Sequence, residues 1–153
     1  MKLVDEHGPA LAALLRRLCR NAHDADDVFQ ETALRVWRAL PGVPRVHNPR
    51  AWLLTIGYRT FLDSRQRRPS HESFAESPDP RVVAPSDQVL HIEMRERVQQ
   101  AVAKLTPGVH EVVALHYAGG LTIRETAEAM NLTEGTVKSR LHAALVELRS
   151  ALE

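Results

Sequence analysis

The sequence predicts an all-α protein of two small helical units joined by a flexible linker. Three observations carry this. Apolar residues recur at helical spacing almost throughout, every such run is bracketed by capping or breaking residues, and no stretch alternates with the period of a strand. The one break in that pattern is the stretch from Pro69 to Ser86, which holds four of the nine prolines and four serines and has no period of either kind. The domain division is therefore residues 1–68, a linker over 69–86, and residues 87–153.

Pro9 opens ALAALLRRLCR, where Leu11, Leu14, Leu15 and Leu18 fall on one face; this predicts a first helix with proline near its first turn. Asp24 is the expected N-cap of a second helix reaching about Leu40, with Val28, Phe29, Ala33, Val36, Trp37 and Leu40 as its buried stripe. Pro41, Gly42 and Pro44 end it. Asn48-Pro49 supplies a cap and an N1 proline for a third helix that Pro69 stops. After the linker, Ser86 caps a fourth helix with Leu90, Met94, Val98, Val102 and Leu105 three or four residues apart. Thr106-Pro107 starts a fifth, which Gly119-Gly120 stops. Thr122 caps a short sixth helix to about Met130, Asn131-Leu132 turns the chain, and Thr133 caps a seventh that runs to the end.

Composition excludes several classes. No run of about 18 apolar residues is present, so membrane insertion is not expected, and the start MKLVDEHGPA lacks the apolar core of a secretory signal. The single cysteine, Cys19, makes neither an internal disulfide nor a cysteine-rich zinc site and reads as a small core residue. The expected compartment is the cytoplasm, with no cofactor and no metal. Net charge is only +1, but its distribution is uneven. Residues 45–68 hold six arginines against Asp63, a local +5, whereas residues 105–153 hold four basic residues against six glutamates, a local −2.

The segment 121–152 has the pattern of a helix-turn-helix, a short capped helix, a tight turn and a long capped helix. Ala127 stands where two steeply crossing helices need a small side chain, and Leu121, Ile123, Met130, Leu132, Val137 and Leu141 are expected to fill the core. The long helix begins Thr133-Glu134-Gly135-Thr136-Val137-Lys138-Ser139-Arg140, a polar tip suited to the major groove. Lys138 or Arg140 can donate to guanine edges, and Glu134 can accept from cytosine. A packed helical hairpin with a solvated face is the plainer alternative.

In the first unit, Asp24, Asp27 and Glu31 share one helix face, the arrangement of a metal site in a helical nucleotide hydrolase or, more simply, of an acidic first turn. The third helix interleaves Arg50, Arg59, Arg65, Arg67 and Arg68 with Trp52, Tyr58 and Phe61, which suits single-stranded DNA. Trp52 and Phe61 read mainly as core, Tyr58 is more evenly divided, and a solvated helix end is the lesser reading of Arg65, Arg67 and Arg68.

Taken together, these segments resemble the extracytoplasmic-function (ECF) group of the sigma-70 family. DADDVFQETALRVWRAL resembles regions 2.1 to 2.2, NPRAWLLTIGYRTFLDSRQRR resembles regions 2.3 to 2.4, and the segment 105–152 resembles region 4. The resemblance implies a non-enzymatic transcription initiation factor that binds core RNA polymerase, recognises promoters and assists DNA melting. It implies contact with core polymerase by Asp27, Gln30, Glu31 and Arg35. It implies that Arg45, His47, Asn48, Arg50, Tyr58, Arg59 and Arg65 meet the −10 element as single-stranded DNA. It further implies that Arg124, Thr133, Glu134, Thr136, Lys138, Ser139, Arg140 and His142 read the −35 element as duplex. An anti-sigma partner is a family expectation, and the family's region 1.1 and folded region 3 have no counterpart. Gly57-Tyr58-Arg59-Thr60 stands where the family more usually has Ala-Arg-Asn, and a mid-helix glycine costs about 1 kcal/mol relative to alanine. His110 stands where basic or polar residues are commoner.

The 18-residue linker, if flexible, averages roughly 20–25 Å end to end and reaches about 60 Å extended. That suits promoter elements one to two turns apart, with the free protein compact or mobile and polymerase drawing it out. The alternatives are a stand-alone helix-turn-helix regulator, a helical metal-dependent hydrolase, and a protein that blocks polymerase without starting transcription.

Overall fold

A computed structural model describes residues 2–19, 21–42, 46–67 and 86–153, with the side chains of 86–90 left aside. The expected linker apart from Ser86, together with Arg45 and Arg68, lies outside the described residues, as do the side chains of Ser86 and Leu90. The described residues form seven α-helices and no strand: α1 (Lys2–Leu18), α2 (Ala22–Ala39), α3 (Pro49–Arg67), α4 (Ser86–Ala103), α5 (Pro107–Val113), α6 (Ile123–Met130) and α7 (Glu134–Leu152). Helices α1, α2 and α3 pack on one another. Helices α4 to α7 form the second unit, in which α7 contacts α4, α5 and α6.

Most caps follow the sequence. Asn48 Oδ1 accepts from the Ala51 amide at 3.1 Å, with Pro49 as the first helical residue of α3. Thr122 and Glu125 form a reciprocal capping box on α6, and Thr133 accepts from the Thr136 amide on α7. Asn131 adopts the left-handed conformation (φ 55°) that ends α6, a place where asparagine is tolerated.

Several expectations need correction. Helix α1 starts at Lys2, so Pro9 lies inside it, at an exposed position. The cap of α2 is Asn21, whose Oδ1 accepts from the Asp24 amide at 2.8 Å, which places Asp24 in the first turn. The buried line of α2 is Ala25, Val28, Thr32 and Val36, while Trp37 is 65% exposed and Leu40 is exposed too. At about 100° per residue, Trp37 stands a quarter-turn beyond Val36, and the expected stripe merged two lines. Met94 is likewise exposed on α4.

Helix α5 runs directly into a π-helical turn, Ala114–Ala118, closed by the Gly119 amide on the Ala114 carbonyl at 2.8 Å. A Cβ on Gly119 would stand 2.6 Å from the Leu115 carbonyl oxygen, so the turn needs glycine there. His116 Nδ1 donates to the Leu121 carbonyl at 2.7 Å and fixes the exit of the chain. This turn aims Leu115 and Leu121 at the first unit. They join Leu11, Leu14, Leu15, Leu53, Leu54, Tyr58 and Phe61 in one apolar cluster shared by both units. A smaller cluster of Val112, Ala127, Val137 and Leu141, flanked by Ile123, Met130 and Leu132, holds the helix-turn-helix together. Leu121 thus serves the shared cluster and not the helix-turn-helix core. Cys19 packs against the shared cluster, and burial pushes its thiol up to about 12.

Candidate nucleic-acid interface

The residues expected to meet DNA occupy two places. On α3 and the turn before it, four of them lie along the seam between the units. Asn48 Nδ2 donates to Glu125 Oε2 at 2.9 Å. The Arg50 guanidinium lies against Gly120, where a Cβ would stand 3.2 Å from Nη1, and the φ of +71° at Gly120 favours glycine there. Tyr58 is only 3% exposed, and its hydroxyl donates to Glu111 Oε2 at 2.7 Å. Arg65 Nη1 donates to the other oxygen of the same carboxylate at 3.0 Å, while its Cζ lies 5.5 Å from the centre of the Phe61 ring. Burial drives the Tyr58 pKa far above the usual phenol value, and the bond to Glu111 adds to that effect. His47 and Arg59 face solvent. Phe61 is buried, and Trp52 is half-buried against the shared cluster, so both pack as core.

The second place is the N-terminal end of α7. Thr133, Glu134, Lys138, Ser139 and His142 are exposed, and Thr136 is half-buried with its hydroxyl 2.9 Å from that of Thr133. Arg124, on α6 beside this tip, is exposed and pairs with Glu128 at 3.3 Å. Arg140 differs from its neighbours. Its guanidinium turns back over α5, where a Cβ on Gly108 would stand 3.0 Å from Nη1, and it adds positive potential near the Tyr58 hydroxyl.

On α2, Asp27 lies 3.5 Å from His23, Gln30 is exposed, and Arg35 bridges Glu31 on its own helix (3.2 Å) to Asp63 on α3 (2.6 Å). The Asp63 bond raises the Arg35 pKa further. Asp24, Asp27 and Glu31 turn to different partners, and among the described residues no three histidine, cysteine or acidic side chains gather as a metal site. No helix among the described residues is long and apolar enough to cross a membrane.

Sequence reasoning missed two sets of residues. Leu34 and Trp37 form an exposed apolar strip one and two turns from Gln30. Glu111 and Glu125 are the seam's acceptors. For Glu111 a signal existed: it is a lone acid inside VHEVVAL, and an acid among valines on a buried face requires a partner.

Comparison with known proteins decides the family. The family model for sigma-70 region 2 matches residues 3–70, and that for sigma-70 region 4 matches residues 95–148. The ECF RNA polymerase sigma factor SigL of Mycobacterium tuberculosis is 34% identical over 155 residues, covering 99% of this chain and 87% of SigL. The chain belongs to the sigma-70 family, in its ECF group. SigW of Bacillus subtilis, also an ECF RNA polymerase sigma factor, is 28% identical over 98% of this chain and 87% of SigW. Among solved structures, CnrH in complex with the cytosolic domain of CnrY matches with TM-score 0.69 and 30% identity, covering 99% of this chain and 85% of CnrH. The sigma factor RpoE of Bartonella quintana, in complex with the anti-sigma factor NepR, shares the fold at TM-score 0.79 and 23% identity over 99% of this chain and 94% of RpoE. As an ECF sigma factor, this protein directs transcription initiation, and its first and second helical units correspond to regions 2 and 4.

Proposed function

We propose that this sigma factor binds core RNA polymerase through α2 and delivers two DNA-reading surfaces to a promoter, acting in the cytoplasm and catalysing no reaction. Residues 1–68 and 87–153 are the two working units, with 69–86 as the linker. The observation that supports the reading is that one chain carries two sets of polar side chains of the kinds that bind nucleic acid. Arginine, asparagine and tyrosine lie along one side of α3, and a capped, polar helix tip stands exposed on α7.

At the −35 element, Thr133, Glu134, Thr136, Lys138, Ser139 and His142 approach base edges in the major groove, while Arg124 supports the docking. Arg140 joins them once it leaves α5. At the −10 element, Arg45, His47, Asn48, Arg50, Tyr58, Arg59 and Arg65 hold the separated non-template strand, by stacking and by neutralising its phosphates. Melting then draws on binding free energy alone. Asp27, Gln30, Glu31 and Arg35 contact core polymerase, joined by Leu34 and Trp37. A tryptophan this exposed has the composition of an interface anchor. An anti-sigma partner belongs to the same proposal.

Run-off transcription with bacterial core polymerase on a library of promoter fragments tests the reading. New transcripts sharing two spaced upstream motifs are expected. Stable polymerase binding without transcripts points to a blocking protein, and no polymerase binding at all points to a stand-alone DNA regulator.

A further inference from the structure

Regions 2 and 4 meet through charge as well as through apolar packing, and the charges are of a particular kind. The acceptors on the region 4 side are the carboxylates of Glu111 and Glu125, and the donors on the region 2 side are Tyr58, Arg65 and Asn48. A carboxylate presents two oxygens to such donors as a DNA phosphate does. Two of the six glutamates that leave residues 105–153 at −2, Glu111 and Glu125, therefore have a use that duplex binding does not explain. Glu111 cannot be displaced on its own. Its side chain is 9% exposed, so losing Tyr58 and Arg65 while α5 stays in place would strand a buried anion. Release of the carboxylate and lifting of α5 from α3 must occur together.

We infer that Glu111, aided by Glu125, is an internal competitor of single-stranded DNA, holding Tyr58, Arg65 and Asn48 so that docking of region 4 and binding of the −10 strand exclude each other. This rests on the −10 reading above. Undocking frees the α3 surface, and the free protein is thereby kept from engaging the −10 strand separately from polymerase.

The test is binding of the full-length free protein to fluorescein-labelled oligothymidine, followed by anisotropy. Glu111→Gln is nearly isosteric and still accepts from Tyr58 but loses the charge that faces Arg65. Combined with Glu125→Gln it is expected to tighten binding about tenfold, equivalent to ~1.4 kcal/mol. Because each substitution also raises net charge, Glu147→Gln on an exposed face of α7 is the control, expected to change binding less than about twofold. Nitroxide labels on α3 and α5 of the E111Q/E125Q protein are expected to report a new population of longer distances. If the double variant binds no more tightly than E147Q, the competition is refuted. Promoter opening with core polymerase separates that result from failure of the underlying reading. If Arg65→Ala impairs opening while E111Q/E125Q leaves binding by the free protein unchanged, only the competition falls. If Arg65→Ala opens promoters normally, the −10 assignment falls with it.

Discussion

Replacing Gly57 by alanine sets two opposed effects against each other at one position. Inside α3, alanine is favoured over glycine by about 1 kcal/mol of helix propensity. Against that, a Cβ built on Gly57 overlaps Leu11 Cδ1 and lies 3.8 Å from Leu11 Cγ and Thr32 Cγ2. Leu11 has no exposed surface and sits within the shared apolar cluster, and Thr32 is equally enclosed, so neither has space to retreat. Adding a methyl to a filled core costs about 1–3 kcal/mol. The cost exceeds the gain, and a net loss of about 1 kcal/mol is expected for Gly57→Ala. With a urea m-value of about 2 kcal/mol/M, the unfolding midpoint falls by about 0.5 M. In a Leu11→Ala background the obstruction is gone, and the same substitution is expected to stabilise by up to about 1 kcal/mol. A rise in midpoint for the single variant, or the same sign in both backgrounds, would refute the claim that α1 packs against Gly57 this closely.

Other outcomes follow from the same geometry. Burial holds the His110 pKa below the ordinary imidazole value, opposed by Glu111 on α5 and reinforced by Arg17 on α1. The folded chain then binds fewer protons than the unfolded one. The contribution of neutral His110 is complete above about pH 6.5 and is lost as pH falls through that value toward the folded pKa. Urea midpoints taken across that range should decline on the acid side, and His110→Gln should flatten the decline. Thr122→Ala removes the side-chain acceptor of the α6 capping box and should cost about 1 kcal/mol, read as a drop of roughly 2–4 °C in Tm. Trp37→Ala should leave stability within about 0.5 kcal/mol, because the side chain is mostly in solvent, yet weaken core polymerase binding by about tenfold or more in a pull-down titration.

Much of this architecture could be read from the chain because local chemistry determined it. Thr122 with Glu125, Thr133, Asn48-Pro49 and Asn131 each act within three or four residues, and all mark the helix boundaries where expected. Where the reading failed, the deciding contact was either remote or a matter of which nearby polar residue won. Asn21 took the cap of α2 from Asp24 because its own amide also donates to the Asp24 carboxylate at 3.0 Å. Trp37 resembles a core residue until the line through Val28, Thr32 and Val36 is fixed by packing on α1 and α3. Gly57 departs from the family pattern in sequence, and only Leu11, 46 positions earlier, explains it. The basic character of α3 was plain from composition, but its pairing with Glu111 and Glu125 spans 46 to 77 positions and left no periodic trace.

The apolar cluster shared by the two units also sets an order of events during synthesis. Leu11, Leu14, Leu53 and Leu54 have been made once α3 is complete, whereas Leu121, which helps to cover them, lies 54 residues beyond Arg67. At about 5–20 residues per second, the ribosome takes roughly 3–11 s to add that stretch. Throughout that interval the nascent first unit carries an uncovered oily face of the kind chaperones and proteases recognise. Stalled or truncated chains ending near the linker should therefore be short-lived in the cell, even when their first three helices have formed.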